Sequence, residues 1–197
     1  FLVPLDLPGI SRGKPLEKLG QRPLNQGEIF FDNVRVPEKF LLAEGPDAYP
    51  AVWQGVFTGA NLHMGTQLVG VARAAYEIAL SYAKEWVQGG QPIIEHQAVK
   101  LRLFNMFQKV EVARSHARRM SIAHATQPGG LPYELAASVK VFITQTAFEV
   151  TSEAVQLLGG NGLTFEYPVE KLFRDARTSM IEDGENYVLS LMAASRL

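Results

Sequence analysis

The sequence contains no cysteine among its 197 residues. This absence excludes disulfide bonds, thiol catalysis and cysteine-ligated zinc or iron–sulfur centres. The charges also nearly cancel, with 19 Lys and Arg against 20 Asp and Glu. No excess of positive charge therefore predicts binding to nucleic acid or to an anionic membrane surface. No apolar run approaches the roughly 18 residues that a membrane-spanning helix needs.

Histidine is scarce as well, with four in the chain. His116 and His124 lie on a helical pattern about two turns apart, which is too far for both to bind one ion without other ligands. His63 and His96 have no histidine or cysteine near them in the sequence. We therefore predict ordinary core or surface histidines and no metal site.

What the sequence does contain begins with an extended pattern over residues 1–42. Apolar residues alternate from Ile29 to Val36, and Pro37 ends the run, which predicts a β-strand. Pro, Gly and Asn in the neighbouring segments predict turns. The pattern indicates a few antiparallel strands, too few for a stable sheet alone. We expect them to complete a sheet whose other strands lie outside this chain.

From about residue 48 the apolar residues recur every three or four positions, which is typical of amphipathic helices. Gly/Pro turns separate three long predicted helices, which cover residues 48–87, 93–126 and 131–158. A short helix near 168–178 and a last helix from about 184 follow. Long amphipathic helices joined by short turns predict an up-and-down helical bundle. The predicted fold class is thus mainly α, with a few antiparallel strands before the bundle.

Three polar segments near the C-terminus each allow a structural and a functional interpretation. The glycine-rich segment 156–162 follows a helix, whereas a dinucleotide fingerprint stands between a strand and a helix. It is either a helix C-cap turn or a backbone donor site for phosphate. Charged residues at 174–177 are typical of a solvated face or a local ion pair. Glu182 and Asp183 precede a glycine, where Asp183 is either an N-cap or a general base.

Together, the order and spacing of these segments resemble the C-terminal half of the acyl-CoA dehydrogenase family. Gln-x-x-Gly-Gly-Asn-Gly from Gln156, Glu-Tyr-Pro-Val-Glu-Lys from Glu166 and Arg-Asp-Ala from Arg174 carry the likeness. It covers essentially the whole chain. It implies that residues 1–45 end the family's middle β-domain and that residues 46–197 form its C-terminal helical domain. It also implies a polypeptide about twice as long, so we expect this segment alone to be inactive.

The resemblance implies a reaction. Family members use FAD to oxidise an acyl-CoA thioester to the 2,3-enoyl-CoA, in which a carboxylate takes the α-proton and a hydride leaves the β-carbon for flavin N5. The family's base stands directly before a glycine, which makes Asp183 the first candidate and Glu182 the second. The backbone N–H of the base residue helps to hold the thioester oxygen. The predicted substrate contacts are Gly184 and Asn61. At the position of Asn61 the family frequently has an arginine near the thioester.

The resemblance also implies FAD contacts in two segments, of which one is the turn between the first two long helices and the other is the glycine-rich run. The candidate residues are Gly89, Gly90, Gln97, Gln156, Gly159 and Gly160. The chain departs from the family in four places. Trp86 and Gly89 replace the usual Arg and Phe of the turn, and Glu185 and Tyr187 replace a Thr and a Gln that touch FAD.

Members of the family that carry aspartate at the base position include dehydrogenases of alicyclic acyl-CoAs, so the resemblance implies a cyclic or branched acyl group. The same likeness implies a homodimer or homotetramer with exposed apolar stripes, an electron-transferring flavoprotein as electron acceptor, and a location in the bacterial cytoplasm or the mitochondrial matrix. Two alternatives remain. One is a flavoenzyme of the same fold with another substrate, such as a nitroalkane oxidase. The other is a non-catalytic subunit that serves oligomerisation or CoA binding.

Overall fold

The computed structural model describes residues 1–197 and divides into two compact units, Phe1–Val56 and Phe57–Leu197. The first unit contains β1 (Ile10–Arg12) and β2 (Ile29–Phe31), which pair antiparallel. The prediction of a few antiparallel strands is confirmed. The three apolar side chains of β2 are exposed, which agrees with the expectation that this pair needs further strands.

The predicted strand from Ile29 to Val36 is wrong in its second half. Pairing ends after Phe31, apart from one hydrogen bond of 2.8 Å from Asp32 N–H to the Gly9 carbonyl. Asn33 then adopts φ 47°, a left-handed conformation that Asn tolerates better than most residues. This backbone rotation turns the chain out of the pleat, so the alternation up to Val36 does not continue the strand.

Five helices make up most of the chain, which confirms the predicted fold class. They are α1 (Ala48–Glu85), α2 (Gln97–Thr126), α3 (Tyr133–Leu158), α4 (Val169–Ser179) and α5 (Asn186–Ala194). The boundary between the two compact units falls inside α1. None of the helices combines the length and the apolar character that crossing a membrane requires.

The turn between α1 and α2 is a small β-hairpin rather than a plain break. β3 (Val87–Gln88) pairs antiparallel with β4 (Gln91–Pro92), so α1 ends two residues before the predicted position. The two loop residues, Gly89 and Gly90, have φ of 67° and 82°. Two consecutive positive φ angles are what a type I′ hairpin turn requires, and glycine adopts them without strain.

α3 is the central helix of the second unit and packs against α2, α4 and α5. The predicted amphipathic character of this helix is confirmed, because Ala136, Val139, Ile143, Val150 and Ala154 form an apolar stripe that is at most 1% exposed. α1 approaches the same helix closely at Gly65, where a Cβ atom would lie 2.7 Å from Val139 Cγ1. Only glycine permits this approach.

Candidate active site

The segment that joins α4 to α5 is a short closed turn that carries both candidate acids. The N–H groups of Ile181 and Glu182 donate to the Thr178 carbonyl at 3.0 and 3.1 Å. At the other end, Asn186 N–H donates to the Met180 carbonyl at 3.0 Å. These bonds close the chain on itself, so residues 182–184 form the tip of the turn.

Two consecutive residues at this tip have positive φ, 54° at Asp183 and 105° at Gly184. A left-handed conformation at a non-glycine residue costs on the order of 1 kcal/mol and persists only where neighbouring contacts enforce it. At Gly184 no side chain is possible without rearrangement, because a Cβ atom would lie 2.6 Å from Leu189 Cδ2. The tip is therefore a strained and closely packed turn.

The two acids of this turn have different environments. Asp183 is exposed, and neither its carboxylate nor its backbone N–H has a hydrogen-bond partner within the chain. Glu182 is half-buried, and its Oε2 atom is fully buried. Asp183 thus presents an acceptor and a donor to whatever binds at the turn, whereas Glu182 is directed partly into the protein. The assignment of either acid as the base stays a prediction.

A buried lysine that sequence reasoning missed holds this turn in place. Lys140 of α3 is 0% exposed, and its Nζ donates to the Gly184 carbonyl at 2.5 Å and to Asn186 Oδ1 at 2.9 Å. Burial lowers the pKa of Lys140 to about 8, although Asp183, Glu185 and Glu182 act in the opposite direction. One signal was available: Lys140 lies on the apolar stripe of α3, four residues after Ala136 and three before Ile143.

The N-cap interpretation of Asp183 is wrong. α5 begins at Asn186, and its N-cap is Glu185, whose carboxylate accepts hydrogen bonds from Tyr187 N–H at 2.8 Å and Val188 N–H at 3.1 Å. An N-cap residue needs an extended backbone, which Glu185 has with φ −64° and ψ 137°. Asp183, in the left-handed region, does not meet this condition.

This difference predicts a contrast between two variants. Glu185→Ala removes both capping bonds and lowers the melting temperature, whereas Asp183→Asn, which keeps a residue that tolerates the left-handed backbone, does not lower it. The capping bonds also lower the pKa of Glu185 below its ordinary 4.5. The stabilisation is therefore present above pH 4.5 and is lost as the pH falls through the lowered pKa. Thermal unfolding followed by circular dichroism from pH 7 to pH 3 measures the effect, and a larger loss in Asp183→Asn than in Glu185→Ala would contradict it.

The first group of FAD candidates lies where the hairpin meets the start of α2. His96 Nε2 lies 2.9 Å from the Gln88 carbonyl, and a Cβ atom on Gly89 would be 3.3 Å from His96 Cε1. The imidazole ring therefore packs beneath the hairpin tip. Gly89 and Gly90 are exposed, and so is Gln97 at the first position of α2. The structure brings these three candidates to one corner.

The second group lies in the turn after α3, close to the same corner. Gly159 is the C-cap of α3 with φ 60°, which confirms the cap interpretation of the glycine-rich run. Asn161 Nδ2 donates to the Tyr82 hydroxyl at 3.0 Å, and the Tyr82 ring stacks on Trp86 at a centroid distance of 5.3 Å. Because Trp86 directly precedes the hairpin, these contacts join the two glycine segments. Gln156, Gly159 and Gly160 are all exposed.

The candidate base and the candidate FAD contacts lie at opposite parts of α3. Lys140 anchors the Asp183 turn, and Leu158 ends the helix before the glycine-rich run. Lys140 and Leu158 are eighteen residues apart in α3, which corresponds to about 27 Å along the helix axis at 1.5 Å per residue. The two groups within one chain therefore do not meet at a single point.

The remaining candidates lie on α1 and α4. Asn61 is 0% exposed, its Nδ2 donates to the Phe57 carbonyl of its own helix at 2.8 Å, and its Oδ1 is buried without a partner. Its role as a substrate contact stays a prediction. In α4, Arg174 pairs with Glu170 at 2.8 Å, which confirms the local ion pair. No group of three or more His, Asp or Glu side chains is arranged to hold a metal ion.

Comparison with known proteins places these features in a family. The C-terminal domain of acyl-CoA dehydrogenases, as described by its family model, matches residues 51–197. The chain belongs to the acyl-CoA dehydrogenase family. Cyclohexane-1-carbonyl-CoA dehydrogenase of Geobacter metallireducens is 34% identical over 100% of this chain and 51% of its own length. An acyl-CoA dehydrogenase of Bacillus subtilis is 35% identical over 100% of this chain and 51% of its own length.

A solved structure of the same family has the same fold. Butyryl-CoA dehydrogenase from Megasphaera elsdenii superposes with a TM-score of 0.90 at 30% identity, over 97% of this chain and 49% of that one. The chain thus spans about half the length of the acyl-CoA dehydrogenases that it matches. The family resemblance carried by the glycine-rich and Arg-Asp-Ala motifs is confirmed.

Proposed function

We propose that this chain is the C-terminal half of a flavin-dependent acyl-CoA dehydrogenase in which Asp183 removes the α-proton of the thioester substrate. One observation carries the proposal. At the position of the family's base, a strained turn holds a carboxylate and a backbone N–H that both lack partners within the chain. A reacting thioester needs this combination of an acceptor for its proton and a donor for its oxygen.

The chemistry assigned to the chain's own groups is proton transfer and charge stabilisation. The Asp183 carboxylate accepts the α-proton, and the negative charge that develops on the thioester oxygen is met by the Asp183 backbone N–H. Because Asp183 is exposed in this chain, a bound acyl group would exclude water from it and make the carboxylate a stronger base. Glu182 is the second candidate and lines the same turn.

FAD is the proposed cofactor, and the corner opposite the Asp183 turn fits its phosphates. Exposed glycine backbone at the hairpin and after α3, with the amides of Gln97 and Gln156, offers uncharged N–H donors of the type that bind phosphate. When bound, FAD supplies the hydride acceptor for the substrate's β-carbon. The distance of about 27 Å along α3 favours donation of these contacts to a cofactor whose reactive ring lies elsewhere, as in a neighbouring subunit.

Aspartate instead of glutamate at the base position changes how closely the substrate must approach the turn. The aspartate carboxylate lies one C–C bond, about 1.5 Å, closer to the backbone, so the α-carbon must approach the turn more closely. One relative is a cyclohexane-1-carbonyl-CoA dehydrogenase, and we propose an alicyclic acyl-CoA of this kind as substrate. An electron-transferring flavoprotein is the proposed electron acceptor.

A homodimer or homotetramer is the proposed assembly. Apolar side chains on α2 are exposed, with Leu101, Phe104 and Val112 at 58%, 59% and 50%. Their spacing of three and eight residues places them on one face of the helix. Exposed apolar side chains on one face are typical of surfaces that another subunit covers.

The test is the visible spectrum of the purified full-length protein, followed by anaerobic titration. We expect a yellow protein whose flavin absorbance is bleached by cyclohexane-1-carbonyl-CoA and more weakly by butyryl-CoA. If nitroethane bleaches the flavin and no acyl-CoA does, the protein is a nitroalkane oxidase instead. A colourless protein that binds acyl-CoA would instead indicate a non-catalytic subunit.

A further inference from the structure

Lys140 is an unusual group in the core of the second unit. Its ammonium is fully buried, and its two hydrogen-bond acceptors are a backbone carbonyl and a side-chain amide rather than a carboxylate. A buried cation with uncharged partners costs free energy that an apolar side chain at the same place would not cost. The hydrogen bonds that Lys140 makes to the turn before α5 are the gain that can offset this cost.

What Lys140 holds is the end of the turn that carries Asp183. Its bond to the Gly184 carbonyl reaches the residue directly after Asp183, across 44 positions of sequence. Its second acceptor, Asn186, is fixed in turn, because Asn186 Nδ2 donates to Thr144 Oγ1 at 3.0 Å. Thr144 lies four residues after Lys140, so both side chains project from the same face of α3. From this face Lys140 binds Gly184 and Thr144 binds Asn186. Hydrogen bonds from a charged donor are the stronger kind.

Asp183 itself makes no side-chain or backbone hydrogen bond within the chain that would fix it. Its left-handed backbone is strained, and nothing on Asp183 offsets the strain. The position of its carboxylate and of its N–H therefore depends on the bonds of its neighbours, and the bonds from α3 reach the residue next to it.

We propose that Lys140 is a positioning residue for proton removal: with Asn186 and Thr144 it fixes the Asp183 turn so that the carboxylate and the backbone N–H keep the geometry that the thioester requires. The proposal rests on the proposed function of Asp183. It gives Lys140 no contact with substrate or cofactor.

The test compares Lys140→Met with Val150→Ala in the full-length protein with FAD bound. Methionine has a similar length and no charge. Val150 is 1% exposed and lies on the same helix, ten residues away or about 15 Å, so its truncation destabilises α3 without touching the turn. For each variant we measure FAD content, melting temperature and the rate of flavin reduction at saturating acyl-CoA.

We expect Lys140→Met to keep its FAD and to reduce the flavin about 100-fold more slowly, the size of effect that a displacement of about 1 Å produces. A structural role alone would not change which step limits the rate. We therefore compare an acyl-CoA with deuterium at the α-carbon, because slower proton removal raises the α-deuterium isotope effect above the wild-type value. Val150→Ala keeps both the wild-type rate and the wild-type isotope effect.

The outcomes separate this proposal from the proposed function. If no acyl-CoA reduces the wild-type flavin, the proposed function fails and there is no base to position. If the wild type is reduced and Lys140→Met matches it in rate and isotope effect, the positioning role is overturned while the function stands. Should Lys140→Met not fold, Asn186→Ala removes one of the two lysine acceptors and is judged by the same two measurements.

Discussion

Replacing Asp183 by Asn in the full-length protein is expected to abolish flavin reduction by acyl-CoA while FAD remains bound. Asparagine has nearly the same shape and cannot accept the α-proton. General base catalysis contributes about 10²- to 10⁴-fold, so we expect a loss in this range or larger. FAD stays bound because its candidate contacts lie about 27 Å away along α3. Stopped-flow absorbance under anaerobic conditions measures the rate, and the flavin-to-protein ratio measures retention.

Two companion variants make the assignment of the base decisive. Glu182→Gln should leave most of the rate, because Glu182 is half-buried and its Oε2 atom is fully buried, whereas Asp183 is exposed. Asp183→Glu should keep measurable activity, since a carboxylate remains at the same backbone position. A larger loss in Glu182→Gln than in Asp183→Asn would exchange the two roles. A near-normal rate of flavin reduction in both variants would show that neither acid of this turn is the base.

The second large effect is expected at Gly184. Alanine there meets two separate costs, a backbone with φ 105° and a Cβ atom 2.6 Å from Leu189 Cδ2. The backbone cost is about 1–3 kcal/mol. Insertion of a methyl group against a side chain that is 2% exposed adds about 1–3 kcal/mol. The variant should also lose flavin reduction, because movement of Gly184 displaces Asp183 and the carbonyl that Lys140 binds.

A matched control is available in the second unit, in the turn between α2 and α3. Gly129 also has a positive φ, 82°, but a Cβ atom there would meet no atom within 4 Å. Gly129→Ala therefore carries the backbone cost alone and leaves flavin reduction at the wild-type rate. Urea unfolding of both variants gives the packing cost as the difference between their free energies of unfolding. Equal free energies would show that Leu189 moves aside without cost, which would contradict the close packing of the turn.

Elements that depend on local pattern were predictable. The three long helices follow from apolar residues at a helical period, and the break after α1 follows from Gly89 and Gly90, because these signals involve residues close in sequence. A helix end differed from its predicted position where the following residues form hydrogen bonds outside the helix. α1 stops at Glu85 because the next residues pair in a hairpin. The strand from Ile29 failed because the backbone of Asn33 turns the chain out of the sheet.

The candidate site likewise has features that follow from local sequence and features that depend on tertiary contacts. The family and the position of Asp183 before a glycine were evident from residue order alone, since motif spacing is a property of the sequence. The N-cap at Glu185 and the anchor at Lys140 were not, because both depend on backbone angles and on a contact across 44 residues. Sequence by itself determined which residues stand at the turn. Tertiary structure decided how the turn is held, because only packing of α3 against α5 brings a buried ammonium to the Gly184 carbonyl.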